Sequence, residues 1–150
     1  MPFLHKFIAS VRRSKFELQP LRETTHLWPL SLVGSEGAQM LAFEVMGLGE
    51  AAPRKAGIFI YARKRGPEWQ ALYIGESANL SARLAFNEIA ADALLSGATD
   101  IHILKTGIGV RERRDIADRL IATNRPPLNE EERTKLETAP KAAKSKSRAA

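Results

Sequence analysis

Cysteine is absent from all 150 residues. Its absence excludes disulfide staples and thiolate metal sites and is compatible with a reducing compartment, so the expected location is the cytoplasm. Long apolar runs are missing too: none approaches the length a bilayer crossing needs, and no membrane span is expected. The opening "MPFLHKFIASVRRSKF" holds some ingredients of a signal peptide, but Lys6, Arg12 and Arg13 interrupt its apolar part. No convincing small-residue cleavage site follows. Aromatics are few at 7%, yet apolar residues reach 44%, enough for one modest core in a single domain. Acidic charge is the scarcer sign, with 17 Asp and Glu against 23 Lys and Arg and a net charge of +6. A pI near 9.9 favours acidic partners such as nucleic acid or an anionic membrane surface, without requiring either.

Three stretches differ in character, and no internal repeat links them. Residues 1–55 form an N-terminal extension whose role the sequence leaves open. Phe3, Leu4, Phe7, Ile8 and Val11 recur there at helical spacing among His5, Lys6, Arg12 and Arg13. A helix packed on the core is expected, with a basic face for phosphate or lipid as the alternative. After a break at Pro20 come "HLWPLSLVG" and "MLAFEVMGL", the second of which fits a helix or a strand.

Residues 56–129 read more clearly. "GIFIYAR" has the β-branched and aromatic content of a strand, and "KRGPEWQ" should turn it into a hairpin with "ALYIG". From Ala78 to about Ser96 the pattern is helical with a break near Phe86, and Gly97 is placed to end it in a left-handed conformation. "TDIHILKTG" is a third strand. "VRERRDIADRLIATN" is an amphipathic helix in which Arg111 with Asp115 and Arg114 with Asp118 are spaced to pair. Pro126 and Pro127 should stop it. Residues 130–150 carry alanine and charge without aromatics, and a disordered basic tail is expected.

The order strand, hairpin, strand, helix, strand, helix resembles the GIY-YIG endonuclease superfamily, and particular residues carry the likeness. Gly57-Ile58-Phe59 stands for the first signature and Tyr73-Ile74-Gly75 for the second. Ser77, Asn79, Leu80, Arg83 and Leu84 follow at the family's spacing, and "LIATNRPPLN" matches its closing element. The resemblance implies an α+β fold with a small three-stranded antiparallel sheet flanked by helices. It also implies nucleic acid as partner, DNA ahead of RNA.

The residues themselves suit that chemistry. Gly75 allows a sharp turn from strand to helix, and Ser77 or Asn79 can cap the helix that follows. Leu80 and Leu84 would face the sheet, with Arg83 reaching from the edge of that face back towards Tyr73. A guanidinium offers a rigid fork of donors to a phosphate, and a phenol can position or help deprotonate a water. Tyr73 and Arg83 are therefore the candidate catalytic pair, and Tyr73, Arg83 and Ser77 the candidate phosphate-binding set.

The likeness also breaks at three positions. Relatives are understood to hold one divalent metal through a glutamate three residues before the Leu of the Leu-Ile pair; here that position is Ala117, and a methyl group cannot ligate a cation. Phe59 keeps the ring of a family tyrosine without its hydroxyl. Asn87 stands where relatives often carry a histidine, and an amide cannot exchange protons usefully at neutral pH. Helical rotation of about 100° per residue turns Asp118 and Asp115 away from the Ala117 direction. Glu88 and Asp92 are outsiders best read as surface charge. His5, His26 and His102 share no metal-site spacing, and His102, between two isoleucines, reads as a core residue. No metal ligand is assigned.

Three functions compete. The first is a nucleic-acid-binding member of the fold with an eroded catalytic site and no cofactor. The second is an active phosphodiester endonuclease using Mg²⁺ or Mn²⁺ on a relocated carboxylate. The third is a protein-interaction module working through residues 1–55. The oligomeric state is not legible.

Overall fold

The computed structural model describes residues 23–31 and 38–138. The helical expectation for residues 3–11 and most of the expected tail fall outside that range. Five strands, β1 (Thr25–Ser31), β2 (Ala38–Gly47), β3 (Gly57–Arg65), β4 (Glu68–Ser77) and β5 (Asp100–Lys105), are joined by four helices. These are α1 (Leu80–Ala85), α2 (Ile89–Leu95), α3 (Val110–Asn124) and α4 (Pro127–Glu137). The fold is α+β, and its strand order is β1-β2-β5-β3-β4 with every neighbouring pair antiparallel.

The sheet therefore has five strands rather than the three expected, and the added two come from the extension. Ile101, His102 and Ile103 of β5 are all buried, so β5 makes a poor edge. Glu44 to Gly47 of β2 pair with Ile103 to Asp100 and cover it. "MLAFEVMGL" is thus a strand up to Gly47, and residues from Thr25 onward belong to the domain. At the sheet's outer side, Ser31 N–H donates to Thr123 Oγ1 at 3.0 Å and Asn124 Nδ2 donates to Pro29 O at 3.0 Å, fastening β1 to α3.

Each face of the sheet has its own core. Trp28, Leu30, Phe43, Ile58, Ile60, Ala62, Ala71 and Ile74 pack beneath Leu120 of α3. Met46, Phe59, Tyr61, Leu72, Tyr73, Ile101 and Ile103 pack beneath Leu80 of α1, Ala93 of α2 and Leu128 of α4. Successive residues of β3 point to opposite faces, and both faces are covered, so Gly57 to Ala62 is buried throughout. The hairpin between β3 and β4 turns through Gly66 and Pro67, with Gly66 at φ 59°. The expected helix break near Phe86 separates α1 from α2, and Gly97 closes the second segment at φ 95°. No helix among the described residues is long and apolar enough to cross a membrane.

Register shifts once. Tyr61 pairs with Tyr73 but Ala62 pairs with Ala71, so Leu72 is an extra residue in β4. Such a bulge re-aims the side chains beside it. Leu72 and Tyr73 both belong to the core under α1, α2 and α4, whereas Ala71 and Ile74 belong to the opposite one.

His102 lies in the core under α3. Its Nδ1 accepts the Trp28 indole N–H at 2.9 Å; because an indole only donates, the neutral ring carries its proton on Nε2. Nε2 has no hydrogen-bond partner, and the ring stands edge-on to Trp69 with centroids 4.5 Å apart. Nearby, the Glu23 carboxylate is bonded by Trp69, His26 and Lys64 at 2.8, 3.1 and 3.2 Å. Burial pushes its pKa up, but those partners outweigh it and hold the group below its usual value.

Burial first, then His26, pushes the His102 pKa down to about 3 from 6.5. The unfolded chain takes up that proton first as pH falls. The contribution of His102 to stability is complete above pH 6.5 and is lost towards pH 3, at up to about 1.4 kcal/mol per pH unit. Denaturant unfolding measured from pH 7.5 to 4 should show the decline, and His102→Gln, which still accepts from Trp28 but does not titrate, should flatten it.

Candidate functional site

The bulge places the Tyr73 ring beside Phe59, with centroids 6.1 Å apart, and the Tyr61 ring lies 6.0 Å from Phe59 as well. Gly75 does not make the turn expected of it. It sits inside β4, paired with Phe59, and a Cβ there would lie 2.8 Å from Phe59 Cε1. The glycine is required by the ring across from it, and the strand runs on to Ser77 before the chain turns.

Helix α1 begins with Asn79, whose side chain accepts the Ala82 N–H at 3.3 Å. Ser77, the third member of the candidate phosphate-binding set, is engaged locally. Its hydroxyl accepts from Asn79 N–H and donates to Asn79 O, both at 3.0 Å, so both functions of the hydroxyl lock the cap. Leu80 N–H and Ser81 N–H donate to the carbonyls of Lys55 and Pro53, which tie the helix start to the loop before β3. Leu80 is fully buried and Leu84 packs against the same core, as expected.

Arg83 then extends over the Phe59 ring, its guanidinium carbon 5.7 Å from the centroid, within cation–π range. Its Nη1 donates to Asn87 Oδ1 at 3.4 Å, and Asn87 Nδ2 donates to the Tyr61 hydroxyl at 3.2 Å. Asn87 Oδ1 also accepts the Ile89 N–H at 3.0 Å. Asn87 thus aims the arginine instead of acting as a base.

Tyr73 and Arg83 border one open cavity of about 270 Å³, together with Gly75, Glu76, Arg114, Ala117, Asp118 and others from α3 and α4. Ala117 is buried and lines it, so the α3 wall offers a methyl group where a carboxylate was sought. Asp118, expected to point away, borders the same cavity. The wall is the stripe Arg114, Ala117, Asp118, Ile121, which one helical face brings together. Asp115 pairs instead with Arg119 at 3.0 Å, and Arg114 pairs with Glu76 instead of Asp118. Glu88 and Asp92 line a separate groove of about 240 Å³ between α2 and α4.

The carboxylate nearest the phenol was missed altogether. Tyr73 Oη donates to Glu132, with Oε2 at 3.1 Å and Oε1 at 3.3 Å. Glu132 rides on α4, which replaces the first part of the expected disordered tail. Pro126 and Pro127 end α3 through Arg125, held at φ 49°, and Pro127 opens α4. Leu128 is the buried anchor. Asn129 locks the helix to the free edge of β4, accepting Ile74 N–H at 2.7 Å and donating to Ile74 O at 2.8 Å. A signal was present in the sequence: Pro127 and Glu130 in the first turn and Lys135 in the last suit a helix dipole. With one buried apolar side chain, however, α4 has no hydrophobic stripe to read.

Burial raises the Tyr73 pKa, and the charge and hydrogen bond of Glu132 raise it further against the pull of Arg83, to about 12. At neutral pH the phenol is a donor and a poor base. Glu76 is the other carboxylate of note: it holds buried Arg113 at 2.6 Å and Arg114 at 3.3 Å. No group of three or more His, Asp or Glu among the described residues is arranged to hold a metal ion.

Comparison of the chain with protein-family models, curated proteins and solved structures finds no match.

Removing the charge of Glu132 should lower the Tyr73 pKa, which stays above 10 because the ring remains buried. Ultraviolet titration of Glu132→Gln in a Tyr61→Phe background isolates the group. An unchanged titration would mean that the Tyr73–Glu132 bond does not form in solution.

Proposed function

We propose that this chain binds nucleic acid, DNA ahead of RNA, by holding a backbone phosphate between Tyr73 and Arg83 without cleaving it. The observation that carries this reading is the convergence of a protonated phenol and a guanidinium on one open cavity with Ala117 in its wall. Both groups donate, and both suit a phosphate oxygen. A phenol with a pKa near 12 deprotonates a water poorly at neutral pH. The net charge of +6 supports the same partner, as does the GIY-YIG-like run of motifs. Glu132 is the opposing element: a phosphate must take its place on the Tyr73 hydroxyl.

A second reading rests on that same glutamate. Glu132 and Asp118 supply two carboxylates to the cavity, and a divalent cation taken there would stabilise charge growing on an attacked phosphate. The chain would then be a metal-dependent endonuclease.

The two readings respond oppositely to one substitution. For the binding protein, a labelled DNA duplex should bind with strong salt dependence. Arg83→Ala should weaken it by about tenfold or more, the usual cost of a charge-assisted contact, and Glu132→Gln should tighten it. For the nuclease, supercoiled plasmid with Mn²⁺ should be nicked, and both substitutions should stop the nicking. A protein that holds no nucleic acid at low salt and cuts none refutes both.

A further inference from the structure

Arg114 is the cavity residue that neither the motif pattern nor the expected surface pairing explains. It stands on α3, across the cavity from Arg83 on α1, and its side chain is 69% exposed. Among the described residues its only partner is Glu76, whose Oε1 accepts from Nε at 3.3 Å, which leaves both Nη nitrogens for a ligand. Glu76 is itself well fixed. Its other oxygen accepts from Arg113 Nε at 2.6 Å, and Arg113, with a side chain only 6% exposed, also reaches Ile108 O at 3.4 Å. A buried arginine thus holds a carboxylate on β4, and the carboxylate orients a second, solvent-facing arginine. Neighbouring Arg113 and Arg114 both reach Glu76 on β4, but Arg113 is buried whereas Arg114 is exposed and borders the cavity.

We propose that Arg114 is a second phosphate-binding residue, closing with Arg83 on the same phosphodiester, and that Glu76 is its positioning residue. This deepens the binding function proposed above and rests on it. The anion sits between two guanidiniums with the Tyr73 hydroxyl as third donor. Glu76 is already neutralised by two arginines and repels the ligand less than its charge suggests. Asp118 and Glu132, which also border the cavity, oppose the anion and set how much of the clamp's attraction is realised.

A thermodynamic cycle on the full chain tests the clamp, with a short fluorescein-labelled DNA duplex as the probe. Arg114→Ala, an exposed truncation that should fold normally, is expected to weaken binding about tenfold and to reduce the salt slope by about one. The Arg83→Ala, Arg114→Ala pair should lose less than the product of the single losses, because one phosphate cannot be released twice. Arg114→Lys should restore the salt slope but only part of the affinity, since an ammonium lacks the fork. Glu76→Gln should weaken binding in the parent chain and have no further effect with Arg114→Ala present; a merely structural role would persist in both. Wild-type affinity in Arg114→Ala, with Arg83→Ala defective, overturns the clamp and leaves the binding function standing. Fully multiplicative losses overturn the shared phosphate. A wild-type chain that binds no duplex refutes the binding function itself.

Discussion

One surplus residue in β4 governs the site. Because Leu72 has no partner on β3, the alternation of β4 slips, and Tyr73 joins Phe59 and Tyr61 on the face covered by α1, α2 and α4. Everything that meets the phenol follows from that slip. Arg83 comes over Phe59 on the same face, and Glu132 comes down from α4. The price of the arrangement is a core with no slack at Gly75, where the Phe59 ring occupies the space of a side chain.

The carboxylates around the cavity and its neighbouring groove are not equivalent. Glu76 is the most firmly held: two arginines bond it, one of them buried. Glu132 is exposed and, among the described residues, bound through the Tyr73 phenol alone, so its position is the easier to change. Asp118 stands at the rim. Glu88 and Asp92, read from the sequence as surface charge, line a groove that Glu132 shares. The cavity thus sets two guanidiniums, Arg83 and Arg114, against the carboxylates of Glu132 and Asp118.

Much of this was legible in the chain. The β3–β4 hairpin, the split helix ending at Gly97, strand β5 and the limits of α3 follow from turn residues, capping residues and apolar spacing. Tyr73 and Arg83 were brought to one site by motif spacing alone, and His102 was placed in the core by its isoleucine neighbours. Other features left no local trace. The extra residue at Leu72 is invisible because "ALYI" is apolar throughout and offers no alternation to interrupt. Strand β2 declares itself only through its pairing with β1 and β5. Helix α4 escaped notice because its hold on the domain is Leu128 and an amide bonded to a strand edge. Asn87 was judged by the proton chemistry it lacks, whereas its contribution is an amide that bridges Arg83, the Tyr61 hydroxyl and the Ile89 N–H.

The bulge and the alternation of the sheet also sort the chromophores. Trp28 and Trp69 lie with the core beneath α3, around His102, while Tyr61 and Tyr73 lie with the core on the opposite side, beside the cavity. Indole emission therefore reports on the histidine side of the sheet and phenol absorption on the face beneath α1, α2 and α4. Two optical channels, read from one unlabelled sample, separate events at the two ends of the sheet's thickness.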